Sequence, residues 1–201
     1  MSERTLSNQF LNHFVKTISS ELGPENFSIV LEKAGLSPDQ TDPARWGNLN
    51  GRTAAEAYTN LQKAMRTYYG RGARGILIRV GSNLWKHLLE DAPLAVKAQS
   101  RLIRGLPLNA RRKAAMELLA KLLGDKQGDV TVHTLDLDLL LVDKASPGTL
   151  GQNEQDCICY VTLGLLRECL YWATGREHDL EETSCRAKGE EACEFKVSIG
   201  G

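Results

Sequence analysis

The sequence predicts an α+β fold, an antiparallel sheet packed with helices behind a helical N-terminal part. Three observations carry that expectation. Apolar residues recur at helical spacing through the first two-thirds of the chain, then give way to alternation after Asp129. The last quarter holds one more helical segment and two short strands around a charged, glycine-bearing turn.

Each element follows from its own pattern. Leu6, Phe10, Phe14, Ile18 and Leu22 form one apolar stripe that ends near Gly23-Pro24. A second short helix carries "FSIVLEKAG", and "TDPARWGNLNG" has no period and reads as a loop. Ala55, Tyr58, Leu61, Met65 and Tyr69 form the next stripe, closed by Gly70. "GILIRVGSNLWKHLLED" reads as a helix with Ile76, Val80, Leu84 and Leu88 inward. Asn109 is placed to cap a helix that buries Ala115, Leu118, Leu119 and Leu122 and stops at Gly124. "VTVHTLDLDLLLVDKA" alternates with a slip of parity, which predicts a bulge or tight turn near His133-Thr134. After the loop "ASPGTLGQNEQD", "CYVTLGLLRECLYWATG" is a helix ended by Gly175. "HDLEETSCRA" and "ACEFKVSI" are strands around Lys188-Gly189-Glu190.

Composition narrows the function. Of 201 residues, 42% are hydrophobic and 25% charged, as in an ordinary soluble globule. Lys plus Arg equals Asp plus Glu at 25 each, which argues against a nucleic-acid backbone as direct partner. No apolar run reaches the roughly 18–20 residues of a membrane span. "MSERTLSNQFLNHF" lacks the basic start and apolar block of a secretory signal, so a cytoplasmic location is expected.

All five cysteines, Cys157, Cys159, Cys169, Cys185 and Cys193, lie in the last quarter. Such clustering in a reducing compartment favours metal or redox chemistry, and the odd count leaves any disulfide scheme with a spare. With the turn centred on Gly189, Cys185 faces Cys193, and opposed β-carbons lie roughly 4.5–5.5 Å apart. That spacing suits two thiolates on one zinc, a cross-strand disulfide, or two buried apolar cysteines. Cys157 and Cys159 stand where a loop enters a helix, and the helix dipole there stabilises a thiolate. Cys169 reads as core. A carboxylate can complete the site. Strand parity puts Glu181 on the face of Cys185, whereas Glu182 needs a bend.

Other motifs have plainer readings. "GRGARG" at 70–75 has the spacing of a dinucleotide loop, but a helical stripe precedes it where that site requires a strand. It reads as a helix break and restart, with Arg71, Arg74 and Arg79 either holding an anion or solvated. Asp136 and Asp138 share a strand face, a pair for acid/base or cation chemistry or simply the polar side of a strand whose other side is Leu135, Leu137, Leu139 and Leu141. Arg111-Arg112-Lys113 reads as a solvated face or a partner contact. Trp85, His133, Tyr160 and Trp172 are candidate walls of an apolar pocket, with His87 near Trp85.

"CYVTLGLLRECLYWATGREHDLEETSCRAKGEEACEFKV" resembles the C-terminal signature of the 4-vinyl reductase domain family. Its elements here are Cys159, Gly164, Trp172, Gly175, Glu182, Cys185, Gly189, Cys193 and Phe195. The resemblance implies the α/β plait of the NO-signalling and Golgi-transport ligand-binding fold, shared with TRAPP vesicle-tethering subunits and often homodimeric. It implies a structural zinc on Cys159, Glu182, Cys185 and Cys193, which selects Glu182 over Glu181 and requires a bend in that strand. It implies a hydrophobic small-molecule ligand, aromatic, lipid-like or tetrapyrrole, and a separate partner that receives the signal. The expected division is a helical segment, 1–50, packing on or dimerising with the main domain, and a ligand-binding domain over 51–201. The alternative is an enzyme or accessory carrier of (bacterio)chlorophyll or porphyrin metabolism. Vinyl reduction needs a hydride or electron source, and the sequence offers no credible flavin or nicotinamide site, which lowers that class. Many relatives carry Cys-Pro-x-Cys where this chain has Ser146-Pro147-Gly148-Thr149, and Cys157 is an extra thiol.

Overall fold

A computed structural model describes residues 5–36, 49–124, 126, 128–136 and 138–199. Most of the loop expected over "TDPARWGNLNG" and the inward or outward placing of Leu137 lie outside the described residues. Seven helices and four strands are formed among those described: α1 (Asn8–Leu22), α2 (Pro24–Lys33), α3 (Gly51–Tyr69), α4 (Gly72–Asp91), α5 (Leu94–Ile103), α6 (Leu108–Leu123), β1 (Val130–Leu135), β2 (Asp138–Asp143), α7 (Tyr160–Thr174), β3 (Asp179–Ser184) and β4 (Cys193–Ser198). The α+β class holds, with helices packed on one antiparallel sheet of strand order β1-β2-β4-β3.

The helical front packs as its stripes require. The Ser7 hydroxyl accepts from the Phe10 amide and starts α1, which buries Phe10, Phe14 and Ile18 together with Leu11 and Val15. Phe10 and Phe14 meet the Tyr58 ring of α3 edge-on at 5.7 and 4.6 Å. Helix α4 turns a face slightly different from the expected one inward. Val80 and Leu84 are buried, but Ala73, Leu77, Gly81 and Trp85 complete the face, and Ile76 and Leu88 are only partly covered.

The reason is the crossing with α7. Gly81 and Gly164 sit backbone to backbone. A β-carbon on Gly164 would lie 2.1 Å from the Ile78 carbonyl oxygen, and one on Gly81 would lie 2.1 Å from that of Val161. The Ser82 hydroxyl donates to the Gly164 carbonyl at 3.2 Å and fixes the register of the crossing. This contact holds α7 on α4 five residues after Cys159.

Several expectations are corrected. The parity slip is a tight turn rather than a bulge, and it falls at Asp136, two residues past Thr134. It closes a hairpin, with Leu135 opposite Asp138 and Asp136 in the left-handed region at φ 49°. Asp136 and Asp138 therefore do not share a strand face. Asp138 instead pairs with Lys196 at 2.9 Å and accepts from the Ile199 amide. Leu139 and Leu141 are buried as expected, whereas Leu135 is exposed at the hairpin tip. Helix α6 begins after Pro107, so Asn109 lies inside it and accepts from Arg112. The basic run is partly used within the fold. Arg111 donates to the carbonyls of Leu106 and Ala173, and Arg112 to His178. Helix α5 has no counterpart among the sequence expectations.

Candidate metal centre

Three elements bring the cluster together. Cys159 is the residue before the first turn of α7, Glu182 lies in β3, and Cys185 and Cys193 flank the turn between β3 and β4. The expected symmetric hairpin is not what forms. Pairing runs Glu182 to Phe195 and then shifts, so that Ser184 pairs with Glu194 and Cys185 lies beyond the strand. The chain then makes a short 3₁₀ turn over Arg186–Lys188 and leaves it through Gly189 at φ 94°. That irregularity is the bend required for Glu182. It turns this carboxylate and Cys185 to the same point, against the parity reading for Glu181.

The four ligand atoms all lie within 4.8 Å of one another. Cys159 Sγ is 3.4 Å from Cys193 Sγ and 3.9 Å from Cys185 Sγ. Sulfurs on one tetrahedral zinc stand about 3.8 Å apart, given a Zn–S length of about 2.3 Å. All three cysteines are buried, and all five in the chain are free. Glu182 Oε2 accepts from the Cys159 amide at 2.9 Å, while its buried Oε1 has no partner. A buried carboxylate oxygen is costly to leave unmatched, and a cation at the centre of the thiols would match it. The Arg186 amide donates to Cys193 Sγ at 3.4 Å, and the Ser146 hydroxyl lies 3.7 Å from Cys159 Sγ.

Without a metal the cluster carries little charge. Hydrogen bonds from Cys159 and Cys193 hold the Cys185 thiol far below its ordinary range, so Cys185 takes the thiolate. Cys159 is pushed well up by its bonds to Cys185 and Cys193 and by burial. Cys193 gains a downward pull from Cys159, but its bond to Cys185 and its burial outweigh it and raise it. Burial first, and then the Cys185 charge, lifts Glu182 from 4.5 to about 8. A dication entering this site displaces those protons, which makes its affinity rise with pH. Cys157 stays outside the set of four. It is half-buried, and burial and the Glu182 charge push its thiol to about 11.

The remaining expected residues scatter. Cys169 is core, its thiol against the Ala115 carbonyl. Trp85 is buried and meets Trp172 edge-on at 5.6 Å. His133 is exposed on β1 and bonds Thr131, and His87 stacks on His13. Tyr160 lines an open cleft beside the cluster. Arg66 lines it too, and sequence reasoning passed over Arg66 because it lies in a regular helical stretch. The "GRGARG" segment is a helix break and restart: Gly70 ends α3 at φ 54° and α4 starts at Gly72. Arg79 pairs with Glu21. No described helix is long and apolar enough to cross a membrane.

The resemblance to the 4-vinyl reductase family is borne out over the C-terminal region, where the V4R domain model matches residues 144–199. No curated protein matches the chain. Among solved structures, the phenol-responsive sensory domain of the transcription activator PoxR with phenol is similar at TM-score 0.53 and 16% identity, covering 75% of this chain and 77% of that one. A Cs H-NOX mutant carrying the unnatural amino acid 4-cyano-L-phenylalanine is similar at TM-score 0.62 and 13% identity, covering 98% and 97%. Trafficking protein particle complex subunit 3 from Naegleria fowleri, covalently bound to palmitic acid, is similar at TM-score 0.53 and 18% identity, covering 75% and 95%. At these identities the likeness is one of fold.

Proposed function

We propose that this chain is a small-molecule-binding or sensing domain whose C-terminal hairpin is stapled to α7 by a structural zinc. Cys159, Glu182, Cys185 and Cys193 hold the ion. The observation that carries the zinc is the donor set: three buried thiols at tetrahedral spacing, facing a buried carboxylate oxygen without a partner. Thiolate-rich sites select zinc over hard cations, and four protein ligands fill its shell, so the ion holds structure rather than activating water. Support for the ligand-binding role comes from the V4R match and from the sensory domain with phenol and the tethering subunit with palmitic acid, which share the fold. The ligand class is a hydrophobic small molecule.

The role is tested by mass spectrometry of the organic extract of the purified protein, together with thermal shifts on adding phenol and palmitate. The reading expects a released apolar compound or a concentration-dependent rise in melting temperature. A clean extract and no shift with either compound contradicts it.

A further inference from the structure

On the solvent side of Glu182 an open cleft of about 690 Å³ separates the α3–α4 junction from the start of α7. Its first wall carries Arg66, Arg71 and Arg74, and the Tyr160 and Leu163 side chains line it from α7. Asp156, Glu181 and Lys188 line it from elements beyond that basic wall.

The basic wall has unused capacity. Arg71 and Arg74 form no ion pair among the described residues, and neither does Lys188 across the cleft. Arg66 is spent on one side only. Its Nη2 donates to Gln152 and Glu154, both at 3.1 Å, while its buried Nη1 has no partner. An unpaired buried donor of this kind costs about 1–3 kcal/mol, and an acceptor in the cleft relieves it. Tyr160 lines the same cleft from α7, across from these guanidinium groups. The backbone is open at the same place, because Gly70 and Gly72 put no side chain over the start of α4, a 20-residue helix. Glu182 also lines the cleft, with its Oε2 accepting from the Cys159 amide and its Oε1 buried. The cleft's free carboxylates, Asp156 and Glu181, belong to other elements than the basic wall, so an anion is drawn toward α3 and α4.

We infer that this cleft binds a small organic acid, its carboxylate or phosphate group held by Arg66, Arg71 and Arg74 with the Tyr160 hydroxyl, and its apolar body against the Tyr160 ring and Leu163. The inference rests on the small-molecule reading above but not on the zinc, since the anion-holding groups lie outside the metal cluster.

The test titrates the full chain, as purified, with sodium benzoate, inorganic phosphate and benzyl alcohol. Calorimetry gives affinities, and amide shifts at Gly70–Arg74 locate the site. Benzoate is expected to shift these amides and to bind at least tenfold tighter than benzyl alcohol. R71Q/R74Q, both exposed positions, is expected to weaken it at least tenfold at an unchanged melting temperature. Phosphate binding as tightly as benzoate assigns the site to phosphate esters, and weaker phosphate assigns it to carboxylates. R66K, which keeps the charge but loses the second Nη donor, is expected to show a smaller loss. Benzyl alcohol binding as well as benzoate, undiminished affinity in R71Q/R74Q, or unmoved Gly70–Arg74 amides overturns the inference. Tight benzyl alcohol binding would do so while leaving the small-molecule reading intact.

Discussion

Helix α7 is held at two places by opposite means. In its second turn, Gly164 lies against Gly81 with no room for a β-carbon, and apolar packing surrounds them. That contact is complete in the polypeptide alone. At its start, Cys159 meets three other ligand groups, and the polypeptide leaves protons shared among thiols and a carboxylate oxygen unmatched. The first site gains by excluding everything; the second, on the proposed reading, gains by admitting a cation. Shape complementarity needs no partner, whereas a buried polar cluster is favourable only when every member is satisfied.

The contrast is broken most forcefully at the crossing. Gly164→Val places atoms where the Ile78 carbonyl oxygen stands, and a loss of more than about 3 kcal/mol is expected in urea unfolding, with or without zinc. Cys185→Ser is expected to release the metal and cost on the order of 3 kcal/mol in the zinc-loaded protein. In protein stripped of metal the same substitution is expected to cost far less, and that difference separates the two sites.

A pH series sharpens the comparison further. In the metal-free protein the folded-state value of Glu182 is raised from 4.5 to about 8, so the native state holds its proton more tightly than the unfolded chain. This carboxyl's contribution is full below about pH 4.5 and lost as pH rises toward 8, on the order of 2 kcal/mol once residual solvent access is allowed for. The Cys185 thiolate, held far below its ordinary range, works in the opposite sense over the same span, so the metal-free protein is expected to show little net slope. Glu182→Gln removes only the first contribution and is expected to make metal-free stability rise with pH. Added zinc is expected to make it rise as well, because metal binding releases protons. The smallest effect lies at the other end of α7. Arg111→Ala removes a donor to the Ala173 carbonyl and is expected to cost about 1 kcal/mol by thermal denaturation, independent of metal and of pH between 5 and 8.

What the sequence made legible follows the same divide. The stripes of α1, α3 and α6 were readable because one face of each is buried at every turn. Helix α5 was not, because it lies between Pro93 and Pro107 and buries only Ile103, which leaves no stripe to read. The β1–β2 hairpin passed for one slipped strand because its turn uses Asp136 in the left-handed region, with neither Gly nor Pro to announce it. In the cluster, the three cysteines were visible by type, but the choice of Glu182 over Glu181 was not visible to strand parity. It depends on the shift of register before Ser184, which the family signature implied and alternation cannot encode. The basic cleft drew on residues from two helices, and only Arg71 and Arg74 shared a recognisable motif.

The central claim, a metal-completed staple at the head of α7, is tested most directly by elemental analysis of protein purified without chelator or affinity-tag metal, with intact mass on the same sample. The account predicts one zinc per chain and, after denaturation in chelator, five titratable thiols. A metal-free sample whose mass is lighter by the hydrogens of one disulfide would contradict it and make the Cys185–Cys193 hairpin a redox element instead.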